Sequence, residues 1–277
     1  MSYSISYLME NYSKLFTQEL HNTLPKTDHD DILLTSMKYS LFTPGKHIRP
    51  FLVNASAQIF NVNVNRTLSI SVAVELIHVY SLIHDDLPGM DNEDMRRGQL
   101  SSHKKFTEAI AILTGDALLT LAFETLSTIN ESPYIRCRII QLLSQAIGYQ
   151  GMIKGQVLDT ETIAKDIDDI KTMHMLKTAR LFSVACELGG ILGGASDTEL
   201  NALRNYGLNL GLAFQIKDDI EDICDDKSKN NILNILTKED SENYMNSLID
   251  RSIEYLAIFP NKTDILNNLA EFIRNLQ

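Results

Sequence analysis

The segment from Ser71 to Asp86, SVAVELIHVYSLIHDD, is apolar at almost every position before it ends in two aspartates. A helix that is apolar on most sides has to be covered by other elements, so this segment predicts the central helix of a bundle. Leu87-Pro88-Gly89 ends it, because proline lacks an N–H donor and biases the residue before it away from helical backbone.

Apolar residues recur every three or four positions over the other long windows, which predicts an all-α chain. The six prolines and 13 glycines among 277 residues are few for the turns of a many-stranded sheet. Further helices are expected over residues 108–124, 134–147, 168–189 and 199–224, with an amphipathic pair in 242–277. Because no linker or repeat divides these segments, residues 1–277 are predicted to form one domain, a bundle of roughly ten or more helices.

Composition and charge argue against several classes of protein. Hydrophobic residues make up 44% and charged residues 22%, as in globular proteins. The net charge of −11, without a basic aromatic stretch, predicts no nucleic-acid partner. Cys137, Cys186 and Cys224 lack metal-site spacing and are interpreted as buried reduced thiols, which favours a cytoplasmic protein. Charges interrupt the long apolar runs and the first residues do not resemble a signal peptide, so neither a membrane span nor export is expected.

Acidic side chains gather at the ends of two apolar helices, as Asp85-Asp86 with Asp91 and as Asp218-Asp219 with Asp222. Two carboxylates ~4 Å apart repel by roughly 4 kcal/mol at an effective dielectric of about 20, and a divalent cation relieves that repulsion. Donors that are oxygen only favour Mg²⁺ or Mn²⁺ over Zn²⁺, and Mg²⁺ usually shares such carboxylates with substrate phosphates. Either cluster alone could equally be a solvated surface, but the presence of both favours a site for a phosphate ester.

A phosphate ligand requires cations in this acidic chain. Gly45-Lys46-His47-Ile48-Arg49-Pro50 opens an apolar helix, where N–H groups without a helical partner favour an anion. Arg96 and Arg97 follow the first acidic cluster, and Lys177 and Lys229 lie near the second in the sequence. Each cation alone would be interpreted as surface charge, and only the association with the acidic clusters favours a site.

At these residues the chain resembles the trans-isoprenyl diphosphate synthases, most closely the bacterial short-chain farnesyl diphosphate synthases. The resemblance covers about residues 37–226. The motifs that carry it are Gly45-Lys46-x-x-Arg49-Pro50, Asp85-Asp86-x4-Asp91 with Arg96-Arg97-Gly98, Gly115-Asp116, Gly151-x3-Gly155-Gln156, Lys177-Thr178 and Phe214-Gln215-x-x-Asp218-Asp219-x-x-Asp222. It implies an isoprenoid synthase fold, with the helices around a central cavity, and a homodimer.

The resemblance also implies a role for each matched residue. The diphosphate of isopentenyl diphosphate would be held by Lys46, Arg49, His78 and Arg97. About three Mg²⁺ ions would clamp the allylic diphosphate between Asp85, Asp86 and Asp91 on one wall and Asp218 with Asp222 on the other. That diphosphate would also be bound by Arg96, Lys177, Thr178, Gln215 and Lys229. The catalytic set would be Asp85, Asp86, Asp91, Lys177 and Asp218.

The implied reaction condenses isopentenyl diphosphate with dimethylallyl diphosphate and then geranyl diphosphate to (2E,6E)-farnesyl diphosphate. Metals and cations stabilise the departing diphosphate in a site closed to water, which leaves an allylic carbocation for the second substrate to attack. In the family, a bulky residue five positions before the first motif, here Tyr80, forms the floor that ends the product at fifteen carbons. Tyr80 stands about 140° from Asp85 on a helical wheel, so it could equally be an ordinary core residue.

The sequence departs from the family pattern at several positions. His47 replaces a usual Arg, Leu176 and Ala179 flank Lys177-Thr178 where His and Gly are common, and Lys217 replaces a usual Gln. The stretch after Asp222 is short and lacks the family's Gly-Lys and Gly-x-Asp segment. Three alternatives therefore stay open: a geranylgeranyl or longer polyprenyl diphosphate synthase, a non-catalytic helical subunit of such a synthase, and a terpene cyclase. The cyclase is disfavoured because it does not need a second set of diphosphate ligands.

Overall fold

The computed structural model describes residues 4–26, 29–221, 230–260 and 262–276. These residues are overwhelmingly helical, which confirms the all-α prediction. The α-helices are α1 (Ile5–Thr23), α2 (Ile32–Leu41), α3 (Ile48–Gln58), α4 (Val64–Asp85), α5 (Ser102–Lys105), α6 (Glu108–Thr128), α7 (Pro133–Ile147), α8 (Met152–Glu161), α9 (Ile167–His174), α10 (Arg180–Leu192), α11 (Asp197–Glu221), α12 (Lys238–Tyr255) and α13 (Asp264–Arg274). Among the described residues, the strands are an antiparallel pair, β1 (Met95–Arg96) and β2 (Gln99–Leu100).

The chain divides into two compact units. Unit 1 contains Leu52–Thr67 and Cys137–Gln277 with the first residues up to Ile5, and unit 2 contains Ser6–Phe51 and Leu68–Arg136. The boundaries fall inside α1, α3, α4 and α7. That residues 1–277 form a single domain stays a prediction.

The central helix predicted from Ser71 to Asp86 is confirmed as α4. It begins earlier than predicted, at Val64, and ends at Asp85. Its side chains are buried on almost every side between Thr67 and Tyr80. The covering that the apolar sequence requires is therefore present in the fold.

The other helices follow the apolar periodicity with three differences. The helix predicted over 168–189 consists of α9 and α10 joined by one π-helical turn, Met175–Ala179. The final pair is interrupted by a 3₁₀ turn at Leu256–Ile258, and the predicted end of α11 at Cys224 lies outside the described residues. Four α-helices of the described residues, α1, α2, α5 and α8, were not predicted. Of these, α1 buries a narrow stripe spaced three and four residues apart in a polar sequence, namely Met9, Tyr12, Phe16 and Leu20.

In unit 2, α1 packs on the beginning of α3 and on α4. The Tyr12 hydroxyl donates to the Ser71 hydroxyl at 2.6 Å, and both hydroxyls are 3.1 Å from the Pro50 carbonyl oxygen. Because all three groups are buried, these bonds satisfy polar atoms that would otherwise destabilise the fold. They also hold the start of α3, which carries the predicted diphosphate ligand Arg49 and directly follows the predicted ligand Lys46.

In unit 1, α11 packs closely on α10 and the π turn. A Cβ atom added at Gly207 or Gly211 would lie 2.6 Å from the Cα atom of Ser183 or Ala179, respectively. Glycine at these two positions therefore allows the helix backbones to approach each other. The same approach brings Gln215 on α11 to Thr178 in the π turn.

Two helices, α4 and α6, are long and apolar enough to span a membrane by length and composition alone. Their mean hydropathy is 1.4 and 1.6, and 72% and 33% of the two windows are buried within the fold. A core helix of a soluble protein meets the same criteria. The absence of a membrane span stays a prediction.

The prediction of buried thiols is correct for one cysteine and wrong for another. Cys186 is buried in α10, and its burial raises the pKa of the thiol to about 12. Cys137 is exposed, because it lies on the solvent side of α7, two positions from the buried Ile139. Cys224 lies outside the described residues.

Candidate active site

The first acidic motif lies in unit 2, where α4 ends and the chain turns sharply. Asp85 is the last residue of α4 and is half-buried, whereas Asp91 is exposed. The backbone N–H of Asp91 donates to the Asp85 carbonyl oxygen at 2.9 Å, which brings the two residues together. These residues offer oxygen donors only, which is the donor set that Mg²⁺ prefers.

Asp86 has different surroundings from Asp85. It is buried, and its Oδ1 accepts hydrogen bonds from Arg96 Nε at 3.0 Å and Arg96 Nη2 at 2.5 Å. Burial raises the pKa of the Asp86 carboxyl, and the bonds from Arg96 oppose that rise. Asp86 therefore holds Arg96 in place beside the first motif.

The β1–β2 hairpin turns at Arg97 and Gly98, which have φ angles of 51° and 78°. Two successive positive φ angles are typical of the tight type I′ turn. The turn brings Arg97 Nη2 to 3.4 Å from His78 Nε2, on α4. Gly45 makes room for this arginine, because a Cβ atom there would lie 2.7 Å from Arg97 Nη1.

His78 lies between two guanidinium groups. Arg49 Nη1 is 3.3 Å from His78 Nε2, and Arg97 approaches the same nitrogen. Burial, followed by the positive charges of Arg49, Arg97, Arg96 and His47, lowers the pKa of His78 well below its usual value. A neutral imidazole beside two arginines leaves a local excess of positive charge, which favours an anion such as a diphosphate. Lys46, also predicted to bind it, is exposed just before α3.

Tyr80, the predicted floor of the chain pocket, is buried with its ring edge-on to His84 at 5.7 Å between centroids. Burial and the Asp85 carboxylate raise the pKa of the Tyr80 phenol to about 12. His84 in turn lies where a Cβ atom of Gly115 would be, and its Nε2 is 3.1 Å from the Ile112 carbonyl oxygen. Because Gly115 has no side chain, His84 has room to contact α6 there, and this contact holds the last turn of α4.

The predicted residues of unit 1 meet in two hydrogen-bonded groups. In the first, Lys177 Nζ lies 2.5 Å from Asp159 Oδ2 on α8. In the second, the Thr178 hydroxyl donates to Gln215 Oε1 at 2.7 Å, and Gln215 Nε2 donates to Asp219 Oδ1 at 3.1 Å. The π turn that carries Lys177 and Thr178 is a distortion often found at functional sites.

The second acidic motif presents its first two members differently. Asp218 is half-buried, whereas Asp219 is buried and accepts from the Ile232 backbone N–H at 2.9 Å. Burial raises the pKa of Asp219 to about 6, while burial lowers that of His174, 3.4 Å away, to about 4. The imidazole of His174 is thus neutral in the neutral pH range, and its Nε2 lies 3.4 Å from Asp219 Oδ2. Asp222 and Lys229, both predicted ligands, lie outside the described residues.

Several members of this network were not predicted from the sequence. Asn230 Nδ2 donates to the Asp159 carbonyl oxygen at 2.9 Å and to the Thr162 carbonyl oxygen at 3.0 Å. Asp159 lies three residues after the Gly155-Gln156 motif, and His174 lies three residues before Lys177, so helical spacing was a signal for both. No such local signal marks Asn230, because its partners are distant in the sequence.

No group of three or more His, Cys, Asp or Glu side chains is close enough to hold a metal ion within the described part of the chain. Mg²⁺ does not need such a cluster, because it commonly binds one or two carboxylates together with water and substrate phosphates. The oxygen donors of Asp85 and Asp91 in unit 2, and of Asp218 in unit 1, fit that kind of binding.

Comparison with known proteins places this geometry in a family. Residues 30–242 match the sequence profile described as "Polyprenyl synthetase". The chain belongs to this family. It is 42% identical over 196 residues to the farnesyl diphosphate synthase of Geobacillus stearothermophilus and 44% identical over 190 residues to that of Micrococcus luteus. These matches cover 69% and 68% of this chain but 66% and 65% of the two relatives, so the chain spans about two thirds of their length.

Solved structures support the same assignment over nearly the whole chain. A crystal structure described as an FPP/GFPP synthase of Zymomonas mobilis has a TM-score of 0.91 and 38% identity, covering 98% of each chain. A geranyltransferase of Legionella pneumophila has a TM-score of 0.89 and 33% identity, covering 98% of this chain and 97% of its own. The family resemblance and the isoprenoid synthase fold predicted from the sequence are thereby confirmed.

Proposed function

We propose that this polyprenyl synthetase family member is a Mg²⁺-dependent prenyltransferase that makes (2E,6E)-farnesyl diphosphate. Its substrates would be isopentenyl diphosphate and, in turn, dimethylallyl and geranyl diphosphate. The observation that carries the proposal is the buried His78 between Arg49 and Arg97. This cationic group can bind a diphosphate without metal carboxylates, as a condensing synthase with two diphosphate substrates requires.

Mg²⁺ held by Asp85, Asp86, Asp91 and Asp218 would neutralise the charge that develops on the departing allylic diphosphate. Arg96, Lys177, Thr178 and Gln215 would bind and orient the same group, since cations and hydroxyl donors stabilise phosphate oxygens. Asp222 is proposed as a further Mg²⁺ ligand, and Lys229 as a further cation that binds the allylic diphosphate. Asp159 and Asp219 would hold two of these side chains in position, because Asp159 bonds to Lys177 and Asp219 accepts a hydrogen bond from Gln215.

The length of the product is the finer part of the proposal. Tyr80 is buried near the end of α4, five residues before Asp85, which supports its role as a floor for a chain of fifteen carbons. The alternative is a geranylgeranyl product, because relatives that are 41% and 43% identical are named as geranylgeranyl pyrophosphate synthases. The number of carbons in the product distinguishes a farnesyl from a geranylgeranyl diphosphate synthase.

The test is an assay of the purified chain with labelled isopentenyl diphosphate and dimethylallyl diphosphate, with Mg²⁺ or with excess chelator. We expect a fifteen-carbon product that forms only with Mg²⁺. A Tyr80→Ala variant should extend it, and Tyr39→Ala, whose exposed hydroxyl bonds to Leu100, is the matched control. A wild-type product of twenty carbons or more rejects the farnesyl assignment. Turnover that appears only when a second, different chain is added would support a non-catalytic subunit instead.

A homodimer and a cytoplasmic location are also proposed. Ile112 and Leu113 on α6 are exposed apolar residues, 44% and 52% accessible, which is consistent with a partner on this helix. We expect a native mass of about 62 kDa, twice the 31.2 kDa of the chain. Sedimentation of the wild type and of Leu113→Glu tests this, since the charged side chain should shift a dimer towards monomer. A wild type that sediments as a monomer contradicts it.

A further inference from the structure

His47 stands between the predicted diphosphate ligands Lys46 and Arg49, yet its own side chain is directed into the core of unit 2. Its Nδ1 lies 3.2 Å from Glu75 Oε1 on α4. Its ring also packs against Phe16 of α1, with 5.0 Å between centroids. His47 therefore joins the loop before α3 to two other helices.

Glu75 depends on this contact. Its side chain is only 3% exposed, and a buried carboxylate is strongly destabilising unless a cation or hydrogen-bond donors compensate it. A protonated imidazole at His47 supplies both the charge and the donor. Without that proton, the imidazole can still donate one hydrogen bond to the carboxylate, but the attraction between opposite charges is lost.

The backbone of His47 is also held in an uncommon conformation. Its φ angle is 45°, in the left-handed region that residues with a Cβ atom rarely adopt. Its carbonyl oxygen accepts the Phe51 N–H at 3.1 Å and so begins the hydrogen bonding of α3. Such a conformation persists only when surrounding contacts determine it. The contact with Glu75 is well placed to do this, because it joins the side chain of the same residue to α4.

We propose that His47, in its protonated form, is a positioning residue that fixes Lys46 and Arg49 for the diphosphate of isopentenyl diphosphate, and that its deprotonation weakens this binding. The proposal rests on the proposed function and adds a pH dependence to it. It depends on the histidine at this position, because an arginine there would carry a permanent charge. Histidine instead changes its charge between about pH 5 and pH 8.

Several other charged groups surround His47. On α4 these are Glu75 and His78, on α3 Arg49, and in the hairpin turn Arg97, which lies against Gly45. From α1 the contact is the uncharged ring of Phe16, while Glu19 accepts a bond from the Ser69 hydroxyl. The arginines remain charged at all relevant pH values, and the lowered pKa of His78 keeps that imidazole neutral.

The experiment compares the wild type with His47→Arg, His47→Gln and Glu75→Gln. KM for isopentenyl diphosphate and kcat are measured near pH 6.5 and pH 8.5, across the range in which histidine loses its proton. We expect the ratio of the wild-type KM to the His47→Arg KM to rise about tenfold between these pH values. The His47→Gln variant should show a raised KM at both, and kcat should change little. Protonation of the substrate diphosphate also changes with pH, but it affects both enzymes equally and therefore cancels in the ratio of their KM values.

A merely structural role would give a different result. His47→Gln would then lower the unfolding temperature, but the pH profiles of KM for the wild type and His47→Arg would run parallel, which overturns the proposal. Glu75→Gln removes the carboxylate that requires a cation, so its KM should lose the excess pH dependence of the wild type. If KM of Glu75→Gln depends on pH as strongly as KM of the wild type, the proposal is also overturned.

A binding measurement separates this proposal from the proposed function. Calorimetric titration with inorganic diphosphate, without turnover, should show the same loss of affinity at high pH in the wild type and not in His47→Arg. If the chain forms no prenyl product but this pattern appears, the proposed function fails and the role of His47 in binding a diphosphate stands. If product forms but the pattern is absent from both binding and KM, the role of His47 is rejected alone.

Discussion

Asp85 and Asp86 are neighbours in the sequence, but the fold gives them different surroundings. Asp85 is half-buried at the end of α4 and joined through its backbone to Asp91, whereas Asp86 is buried and bonded to Arg96. Two adjacent aspartates of the motif thus differ, because the Asp86 carboxylate is buried and positions an arginine through its Oδ1, whereas the Asp85 carboxylate is half-buried. This difference follows from which side of the turn each side chain faces.

The role proposed for Asp85 predicts a selective loss of activity. Asp85→Asn removes the charge that would hold Mg²⁺, so kcat should fall about a hundredfold or more, corresponding to at least ~2.7 kcal/mol. The circular dichroism spectrum should not change, since a half-buried carboxylate at a helix end contributes little to folding. The matched control is Asp94→Asn, whose exposed carboxylate lies 2.9 Å from Lys104 Nζ. Equal kcat values in the two variants would contradict the assignment of Asp85.

The lowered pKa of His78 predicts how stability changes with pH. In the unfolded chain this imidazole takes up a proton near pH 6.5, whereas the folded state resists it, so the unfolded state binds more protons. The free energy of unfolding should therefore fall as the pH drops from about 7.5 towards 5, and His78→Gln should reduce that fall. His174, with a pKa of about 4, acts in the same direction.

Urea unfolding of the wild type and of His78→Gln, at about pH 7.5 and at about pH 5, checks this prediction. The buried carboxyls of Asp86 and Asp219 have raised pKa values and act in the opposite direction, so the difference between the two proteins isolates His78. His29→Gln changes an exposed imidazole and is the control. If His78→Gln and the control give the same pH dependence as the wild type, His78 is not held neutral in the fold.

At the scale of elements, the position of Lys177 and Thr178 depends on close contact between α8 and the π turn. A Cβ atom at Gly155 would lie 2.2 Å from the backbone nitrogen of Lys177, closer than atoms can approach. Glycine on α8 is therefore needed for the helix to reach the backbone that carries the two predicted ligands. The same contact brings Asp159, one turn later on α8, to the Lys177 ammonium group.

A Gly155→Ala variant should separate these elements. We expect a loss of about 1–3 kcal/mol in the free energy of unfolding, as for other overpacked interiors, and a higher KM for the allylic substrate. Gly89→Ala is the stability control, because an added Cβ atom there meets nothing within 4 Å. Chemical unfolding measures the first effect and steady-state kinetics the second. An unchanged free energy of unfolding in Gly155→Ala would contradict the close contact between α8 and the backbone of Lys177.

At the scale of the whole molecule, binding of Mg²⁺ and diphosphate should stabilise the folded chain. A ligand that binds only the folded state adds about 2.7 kcal/mol when its concentration is a hundred times its dissociation constant. For a chain of this length, that corresponds to a rise of roughly 5–10 °C in the unfolding temperature. Calorimetry with Mg²⁺ plus inorganic diphosphate should show this rise, and either component alone a smaller one.

The control for this prediction is the Asp85→Asn variant, in which the combined effect should largely disappear. Chelation of the metal should reverse the stabilisation without unfolding the helices, because the hydrophobic contacts of α4 and α10 do not involve metal. An equal rise in the presence of excess chelator would show that the anion binds without Mg²⁺ and would contradict the proposed metal site.

Much of this protein could be predicted from local sequence. Apolar periodicity is a short-range property, so it identified α4, α6, α7 and α11, and the proline after Asp86 marked the end of α4. The same reasoning placed both acidic motifs at helix ends. It failed at α1 and α8, whose stripes are narrow or interrupted by glycine, and at Cys137, whose face of α7 no local pattern revealed.

Only the tertiary structure decided which polar groups support these motifs. The contacts of His78 with Arg49 and Arg97, and of Asn230 with Asp159, join residues 29, 19 and 71 positions apart. Such contacts depend on how helices pack and turns close, which a single sequence does not encode locally. The amino-acid order therefore determined the helices and the charges at their ends, because both arise within a few residues. Burial decided which of those charges persist, because the free energy of a charge depends on what the folded chain packs around it.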